Sequence, residues 1–261
     1  MSELKGKTAL VTGASSGLGV DFARELAARG ADLVLAARRE APMQTLAEEL
    51  RSRHGVQVRI ETVDLADAGA RERLAQSLQE QGVAVDILVN NAGFGLYGDF
   101  GRMEWPAMNQ MLQLDVVALT HLTHLFVGPM RQRGYGRILQ VASTASYQPS
   151  PTYTAYGAAK AYVLSFGVAL NHELAGSGVS CTVVSPGVTA TEFLQVSGQR
   201  RNWFHNSTMM TSARVAALGV RATLQGRASI VTGWINAISA FSMRLLPIRW
   251  AAAMGAFVMK N

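Results

Sequence analysis

Short apolar runs alternate with segments of helical periodicity along most of this chain. The runs 8–12 (TALVT), 31–37 (ADLVLAA) and 179–187 (VSCTVVSPG) are aliphatic or β-branched and lead into glycine or polar residues. Such runs are typical of strands that are buried on both faces of a sheet. Because helical segments of about ten to fifteen residues separate them, the pattern predicts βαβ units and a Rossmann-like, doubly wound parallel sheet of the α/β class.

The same pattern predicts the remaining elements. A long helix is expected over about 104–128, with Pro106 in its first turn and Pro129 at its end. A further helix is predicted over 212–225, with Ser212 as its N-cap. Since no repeat or linker interrupts the chain before residue 190, we expect a single domain over residues 1–261. Additional strands are predicted at 57–64, about 85–90, 137–143 and 228–233, and additional helices at 21–30, 42–55, 70–82 and 152–175.

The composition indicates a folded protein of a reducing compartment. Apolar residues make up 49% of the chain, which is ample for a sizeable core. Cys181 is the only cysteine, so it cannot form an internal disulfide, and its apolar surroundings predict a small buried side chain. The N-terminus carries charge where a signal peptide would need an apolar core, which predicts a cytoplasmic location.

Positive charge is concentrated in the last quarter of the chain. Residues 1–192 contain 16 Lys/Arg and 18 Asp/Glu, whereas residues 193–261 contain 8 Lys/Arg and no acid. This asymmetry fits an anionic partner such as a lipid surface, an acidic carrier or a phosphate-bearing substrate. Ordinary arginines that extend from helices are an equally good explanation. No nucleic-acid partner is expected.

Residues 228–261 form an apolar, basic C-terminal extension that is unusual for a soluble enzyme. Trp234 and Trp250 occur there together with Arg244 and Arg249. Its longest uncharged run, 228–243, is short for a membrane span. A soluble homo-oligomer, dimer or tetramer, is the favoured prediction, and peripheral contact with a membrane interface is the second.

A glycine-rich turn, Thr12 to Gly19 (TGASSGLG), joins the first strand to its helix. N–H groups and the dipole at a helix N-terminus favour an anion, and glycine lets a pyrophosphate approach the backbone. The turn therefore predicts a dinucleotide site. After the second strand, Ala37 stands where an acid would bind the ribose of NAD, and Arg38 and Arg39 follow. This pattern favours NADP, because an arginine at this place binds the 2′-phosphate of that cofactor. The alternative is that the two arginines are ordinary surface residues.

Tyr156 and Lys160 lie four residues apart in a predicted helix, and residues with this spacing share one helix face. A cation beside a tyrosine favours the phenolate, which makes the phenol usable as a proton donor or acceptor. The alternative is a core tyrosine and a surface lysine that share a helix by chance.

Five features now occur in one order: TGASSGLG, NNAG, Ser143 thirteen positions before Tyr156, YGAAK, and SPGVTATEF. In this combination the sequence resembles the short-chain dehydrogenase/reductase family over roughly residues 5–195. The resemblance implies that Ser143 hydrogen-bonds the substrate oxygen and that Tyr156 donates or removes a proton. Lys160 would bind the nicotinamide ribose and lower the pKa of Tyr156. The implied cofactor contacts are Gly13, Ser15, Ser16, Gly17, Leu18 and Gly19 at the phosphates, Asp64 and Leu65 at the adenine, Asn91, Ala92 and Gly93 near a ribose, and Pro186, Gly187, Val188, Thr189 and Thr191 at the nicotinamide.

One position departs from the family pattern. Where the family has an asparagine on the long helix, this chain has Asp115. In the family this position helps to anchor a water that connects the lysine to solvent. An aspartate can also hold water, but its charge could pair with Lys160 and weaken the effect of that lysine on Tyr156. We therefore expect reduced but real activity, which Asp115→Asn should preserve or raise.

In this family the segment after the Pro-Gly turn closes over the substrate. Here residues 191–210 are predicted to form that lid, with Phe193 and Trp203 among its apolar residues, and Phe94 and Tyr153 on the facing wall. An apolar lid suits a lipophilic carbonyl or secondary alcohol. The alternative is that these side chains only pack the core.

The sequence thus favours an NADP(H)-dependent oxidoreductase that acts on a lipophilic carbonyl or secondary alcohol. An isomerase or dehydratase that retains its cofactor, and a non-catalytic NADP-binding sensor or scaffold, are the alternatives. His121 and His124 are three residues apart with no third ligand type nearby, so no metal site is expected.

Overall fold

A seven-stranded parallel sheet forms the centre of the protein. The computed structural model describes residues 3–190, 197–199 and 209–259. The strands are β1 Thr8–Thr12, β2 Asp32–Ala37, β3 Val58–Thr62, β4 Ile87–Asn90, β5 Gly136–Val141, β6 Val179–Ser185, β7 Thr189–Ala190, β8 Met210–Thr211 and β9 Ser229–Val231. The sheet order is β3-β2-β1-β4-β5-β6-β9, and a separate two-stranded parallel sheet pairs β7 with β8.

Helices cover both faces of the sheet, which confirms the predicted doubly wound, Rossmann-like fold. One face packs Phe22 of the first helix and Val220 against the strands, and the other packs Leu74, Leu122 and Phe126. The helices are α1 Gly17–Ala28, α2 Glu40–His54, α3 Ala68–Glu80, α4 Trp105–Leu112, α5 Leu119–Gln132, α6 Thr154–Glu173, α7 Ser212–Leu224, α8 Trp234–Met243 and α9 Ile248–Met259; a π-helical segment, Gln113–Ala118, joins α4 to α5.

The strand order places the loop after β1 beside the loop after β4. The chain runs outward from β1 to β2 and β3 and then returns to β4 on the other side of β1. The carboxyl ends of β1 and β4 therefore meet where the winding direction reverses, and in open α/β sheets ligands bind at such a point.

Two predicted helix boundaries are wrong. Pro129 lies inside α5 and not at its end. The helix continues for three more residues because the next side chain, Met130, packs in the core, while Pro129 lies on the exposed side. Thr211, not Ser212, is the N-cap of α7, since its Oγ1 accepts the N–H of Arg214. Ser212 is already helical, and its hydroxyl donates to the Asp21 carboxylate instead.

The stretch Trp105–Gln132 is long and apolar enough to cross a membrane by length and composition alone. Its inward side chains, Met111, Leu122 and Met130, are buried against the rest of the fold, as in the core helix of an α/β protein. Cys181 is buried in β6 as predicted, and burial raises the pKa of its thiol to about 12.

Candidate active site

A cleft of about 630 Å³ opens at the carboxyl ends of the parallel strands. Every predicted site residue that the structure describes lines it, except Gly19 and Asp115. The fold therefore brings together predicted residues from seven separate segments of the chain. Thr191, Phe193 and Trp203, with most of the predicted lid, lie outside the described residues.

The glycine-rich turn is shaped for a close backbone approach. Gly13 and Gly17 have φ of 66° and 56°, which favours glycine, and a Cβ on Gly13 would lie 2.9 Å from Cα of Ala92. α1 begins at Gly17, and its first residues line the cleft. The Ser16 side chain does not cap this helix, so it leaves the first N–H groups of α1 for another acceptor. Gly19 has a different role: it is buried, and a Cβ there would collide with the carbonyl of Gly13.

Thr12 holds the segment after β4 in place. Its Oγ1 accepts the N–H groups of Asn91 (2.9 Å) and Ala92 (3.0 Å) and donates to the carbonyl of Val89 (3.0 Å). The Asn91 amide in turn donates to the carbonyl of Thr12 at 2.9 Å. Sequence reasoning did not assign Thr12 to the site, although it stands at the end of β1 directly before the glycine-rich turn.

β2 ends at Ala37, and two exposed arginines follow at the rim of the cleft. The Arg39 guanidinium points towards the glycine-rich turn, with Nε 3.4 Å from Oγ of Ser15. Arg38 also lines the cleft. The carboxyl end of β2 is therefore a positively charged wall.

Ser143 and Tyr156 converge at the inner end of the cleft. Ser143 follows β5, and its Oγ accepts the N–H of Ala145 at 3.1 Å. Tyr156 lies in the first turn of α6 and is buried, with a hydrogen bond between its hydroxyl and that of Ser143. Lys160, one turn later, places its Nζ 5.6 Å from the centre of the Tyr156 ring.

Asp115 forms a buried ion pair with Lys160. The two side chains are almost fully inaccessible, and Nζ of Lys160 lies 2.9 Å from Oδ2 of Asp115 and donates to the carbonyl of Val141 at 3.1 Å. The other oxygen, Oδ1, accepts the N–H of Phe94 at 3.0 Å. Asp115 thus stands behind Lys160, in the π-helical segment, and outside the cleft lining.

This ion pair changes the expected electrostatics of Tyr156. The resemblance implied that Lys160 lowers the pKa of Tyr156, whereas in the structure that pKa is raised. Burial is the main cause and the Asp115 charge the second, and the hydrogen bond with Ser143 only partly opposes them. Burial likewise raises the pKa of Asp115, against the opposing effect of Lys160. Lys160 is paired with the buried Asp115 carboxylate, and the charge of that carboxylate adds to the effect of burial and opposes the lowering that the resemblance implied.

Tyr153 closes the apolar side of the cleft. Its hydroxyl lies 2.8 Å from Oγ of Ser197 and donates to Oε1 of Gln199 at 3.0 Å, so it connects the wall with the described part of the predicted lid. Its ring packs 5.5 Å from that of Tyr156. Burial raises the pKa of Tyr153 to about 12, which keeps its hydroxyl protonated.

Several side chains at the site belong to no sequence motif and were not predicted. Arg71 is fully buried in α3 and donates to the carbonyl of Leu65 at 2.6 Å and to Nδ1 of His121 at 3.0 Å, so it holds the backbone at the predicted adenine pocket. Gln110 and Gln199 line the cleft. An arginine or glutamine in a helix or loop is normally exposed, so only the fold identifies these residues.

The comparisons agree with this arrangement. A family model described as short chain dehydrogenase matches residues 7–202. The D-beta-hydroxybutyrate dehydrogenase of Cupriavidus necator is 33% identical over 201 residues, which cover 76% of this chain and 76% of that protein.

Two solved structures show the same fold with different cofactors. A short-chain dehydrogenase from Sphingobium yanoikuyae in complex with NADPH is 29% identical, with a TM-score of 0.81, and the match covers 92% of this chain and 94% of that chain. A short-chain dehydrogenase/reductase from Burkholderia phymatum in complex with NAD is 26% identical, with a TM-score of 0.82 and the same coverage of 92% and 94%.

Proposed function

The chain belongs to the short-chain dehydrogenase/reductase family, and from that premise we propose that it is an NADP(H)-dependent oxidoreductase for a lipophilic carbonyl and its secondary alcohol. The family membership makes it an oxidoreductase. One observation carries the chemical proposal: the hydroxyls of Ser143 and Tyr156 meet at the inner end of a cleft bordered by the glycine-rich turn and the Pro-Gly turn.

The cleft fits a nicotinamide dinucleotide. The glycine-rich turn lines the cleft from Gly13 to Leu18, and the N-terminus of α1 favours the pyrophosphate charge. At the other end, the carbonyl of Pro186 accepts the N–H of Thr144 at 2.9 Å, which ties the Pro-Gly turn to the loop after Ser143. When bound, such a cofactor supplies or takes up the hydride.

The rim beside β2 supports NADP over NAD. The nearest acid in sequence, Glu40, is engaged elsewhere, because its carboxylate accepts from Gln44 (2.8 Å) and Thr62 (3.3 Å). Arg38 and Arg39 stay exposed at the cleft, where a 2′-phosphate would add two negative charges. The structural relatives bind either NADPH or NAD, so the choice rests on these residues of the chain itself.

Replacing Arg38 by Gln is expected to raise the KM for NADPH about 10- to 100-fold, the value of one or two charge-assisted hydrogen bonds, and to leave the KM for NADH unchanged. Steady-state kinetics with both cofactors measure this. Arg53→Gln is the matched control, since Arg53 is an exposed arginine of α2 that pairs with Glu49 away from the cleft. Equal loss with both cofactors would contradict a 2′-phosphate site.

Tyr156 provides the proton in this proposal. Its raised pKa keeps the phenol protonated at neutral pH, so it can donate to the oxygen of a carbonyl that accepts a hydride at carbon. The Ser143 hydroxyl holds that oxygen and stabilises the charge that develops on it. Asp115, which is paired with Lys160 outside the cleft lining, adds to the effect of burial and raises the pKa of Tyr156 further.

Asp115→Asn is expected to move the pH profile of alcohol oxidation towards lower pH and to leave turnover at neutral pH at least as high as in the parent chain. The Asp115 charge raises the pKa of Tyr156, so its removal lowers that pKa. An asparagine Oδ1 still accepts from Phe94. The pH dependence of kcat measures the change. Loss of turnover would show that the carboxylate itself takes part in the reaction.

The substrate is proposed to be lipophilic because Phe94, Leu114 and Tyr153 line the described part of the cleft beside Tyr156. Phe193 and Trp203 are proposed to complete this wall. Net, stoichiometric NADPH oxidation across ketones of graded chain length tests the function. An isomerase or a sensor would consume no NADPH with any of them.

The cytoplasmic location and a homo-oligomeric state remain part of the proposal.

A further inference from the structure

The last two helices carry their large apolar side chains on the outside of the protein. On α8, Trp234, Ile238 and Phe241 recur at the spacing i, i+4, i+7 and are 74%, 58% and 65% exposed. The buried positions of the same helix are Asn236 and Ala240. This is the reverse of the usual surface helix, whose apolar stripe faces the core.

The last helix, α9, likewise exposes its large apolar side chains. On α9, Trp250, Met254 and Phe257 again recur at i, i+4, i+7 and are exposed, whereas the small residues Ala251 and Gly255 are buried. The turn between the helices adds the exposed Leu245 and Leu246, and α9 begins with the exposed Ile248, so the apolar positions continue from one helix to the next. We call the outward stripes of α8 and α9, together with residues 244–249, the C-terminal apolar face.

The charge of this region indicates what covers the face. Arg244 and Arg249 are exposed within it, and residues 193–261 contain eight basic residues and no acid. A two-fold contact between two copies would bring this face against the same face of the second copy. Four arginines would then meet, and residues 193–261 would supply no acid to pair with them. An anionic phospholipid surface supplies the missing negative charge and accepts tryptophan and arginine at its interface.

We propose that α8 and α9 lie in the interface of an anionic phospholipid bilayer and attach the protein to it peripherally. Helices with a tryptophan- and phenylalanine-rich face flanked by arginine bind in this way, with the apolar side chains at the boundary of headgroups and acyl chains. α8 remains part of the folded protein, because Asn236 packs closely against Gly187 of the Pro-Gly turn and also donates to the carbonyl of Thr232 at 2.9 Å.

The attachment also places the bilayer beside the cleft. The Arg244 guanidinium stacks 4.9 Å from the centre of the Tyr147 ring, and Gly255 approaches Pro149 so closely that a Cβ there would lie 2.7 Å from its carbonyl oxygen. Both contacts are in the loop between Ser143 and Tyr156. That a lipophilic substrate enters from the membrane rests on the proposed function; the attachment itself does not.

Flotation of the full chain with vesicles tests the attachment without any substrate. At low salt we expect binding to vesicles of phosphatidylcholine with phosphatidylglycerol. The double variant Trp250→Glu/Phe257→Glu is expected to reduce this binding at least about tenfold. Arg249→Gln is expected to weaken it about fivefold on anionic vesicles only. Trp105→Glu, at an exposed tryptophan outside the C-terminal helices, is the matched control and should bind like the parent chain.

Three results would overturn the proposal. The first is the absence of binding to anionic vesicles at low salt, and the second is an equal reduction of binding in the double variant and the Trp105 variant. The third is a change from oligomer to monomer in the double variant by sedimentation, which would show that a second copy covers the face. Circular dichroism and dinucleotide binding establish that each variant is folded. Because vesicle binding is scored without turnover, a failed ketone assay would affect the proposed function and not the attachment.

Discussion

Tyr156→Phe is expected to lower kcat for ketone reduction by about 10²- to 10⁴-fold, the usual contribution of a positioned general acid. The change removes one hydroxyl and keeps the ring, which packs 5.5 Å from Tyr153 inside the site. Since the lining of the cofactor cleft is otherwise unchanged, NADPH affinity should be preserved. Steady-state kinetics and NADPH fluorescence titration measure the two quantities on the same sample.

Tyr153→Phe is the matched control for this substitution. Tyr153 is equally buried and three residues away, and its hydroxyl donates to Gln199 rather than facing Ser143. Its loss should change KM more than kcat, because a lid contact is removed and the proton donor is kept. If Tyr156→Phe turned over ketones at the parent rate, another group would have to supply the proton and the proposed role of Tyr156 would fail.

The sequence predicted the parts of the site that depend on local backbone chemistry. The turn at Gly13 requires positive φ and a close approach to Ala92, so its residue type shows in the sequence. The strand order that brings this turn beside Asn91 follows from the alternation of strands and helices. Tyr156 and Lys160 share a helix face because of their spacing alone.

What the sequence could not provide is the environment of those residues. The pKa of Tyr156 depends on how deeply it is buried and on where the Asp115 charge lies, and both are set by packing across three segments. Arg71 is buried in α3, although an arginine in a helix is normally exposed. The outward stripes of α8 and α9 have the periodicity of any amphipathic helix, and periodicity does not say which side faces the core.

Lys160→Met is expected to lower the free energy of unfolding by about 3–5 kcal/mol at neutral pH, because it leaves the Asp115 carboxylate buried without its partner. Both partners of the Lys160 ammonium, the paired Asp115 carboxylate and the carbonyl of Val141 that accepts its hydrogen bond, lie in the interior. Adding Asp115→Asn to the same chain should restore most of the loss, since no net charge then remains buried. Urea unfolding of the parent, both single variants and the double variant measures the coupling between the two residues.

The pH dependence separates this explanation from a simple packing defect. Burial already holds the pKa of Asp115 above its unfolded value, and without Lys160 it rises further. A carboxyl with a raised folded pKa disfavours the native state increasingly as pH rises above its unfolded pKa of about 3.9. The deficit of Lys160→Met should therefore be largest at neutral pH and shrink as the pH is lowered towards that value. A deficit that stayed constant with pH, and that Asp115→Asn did not relieve, would mean that the methionine simply packs badly and that the ion pair contributes nothing.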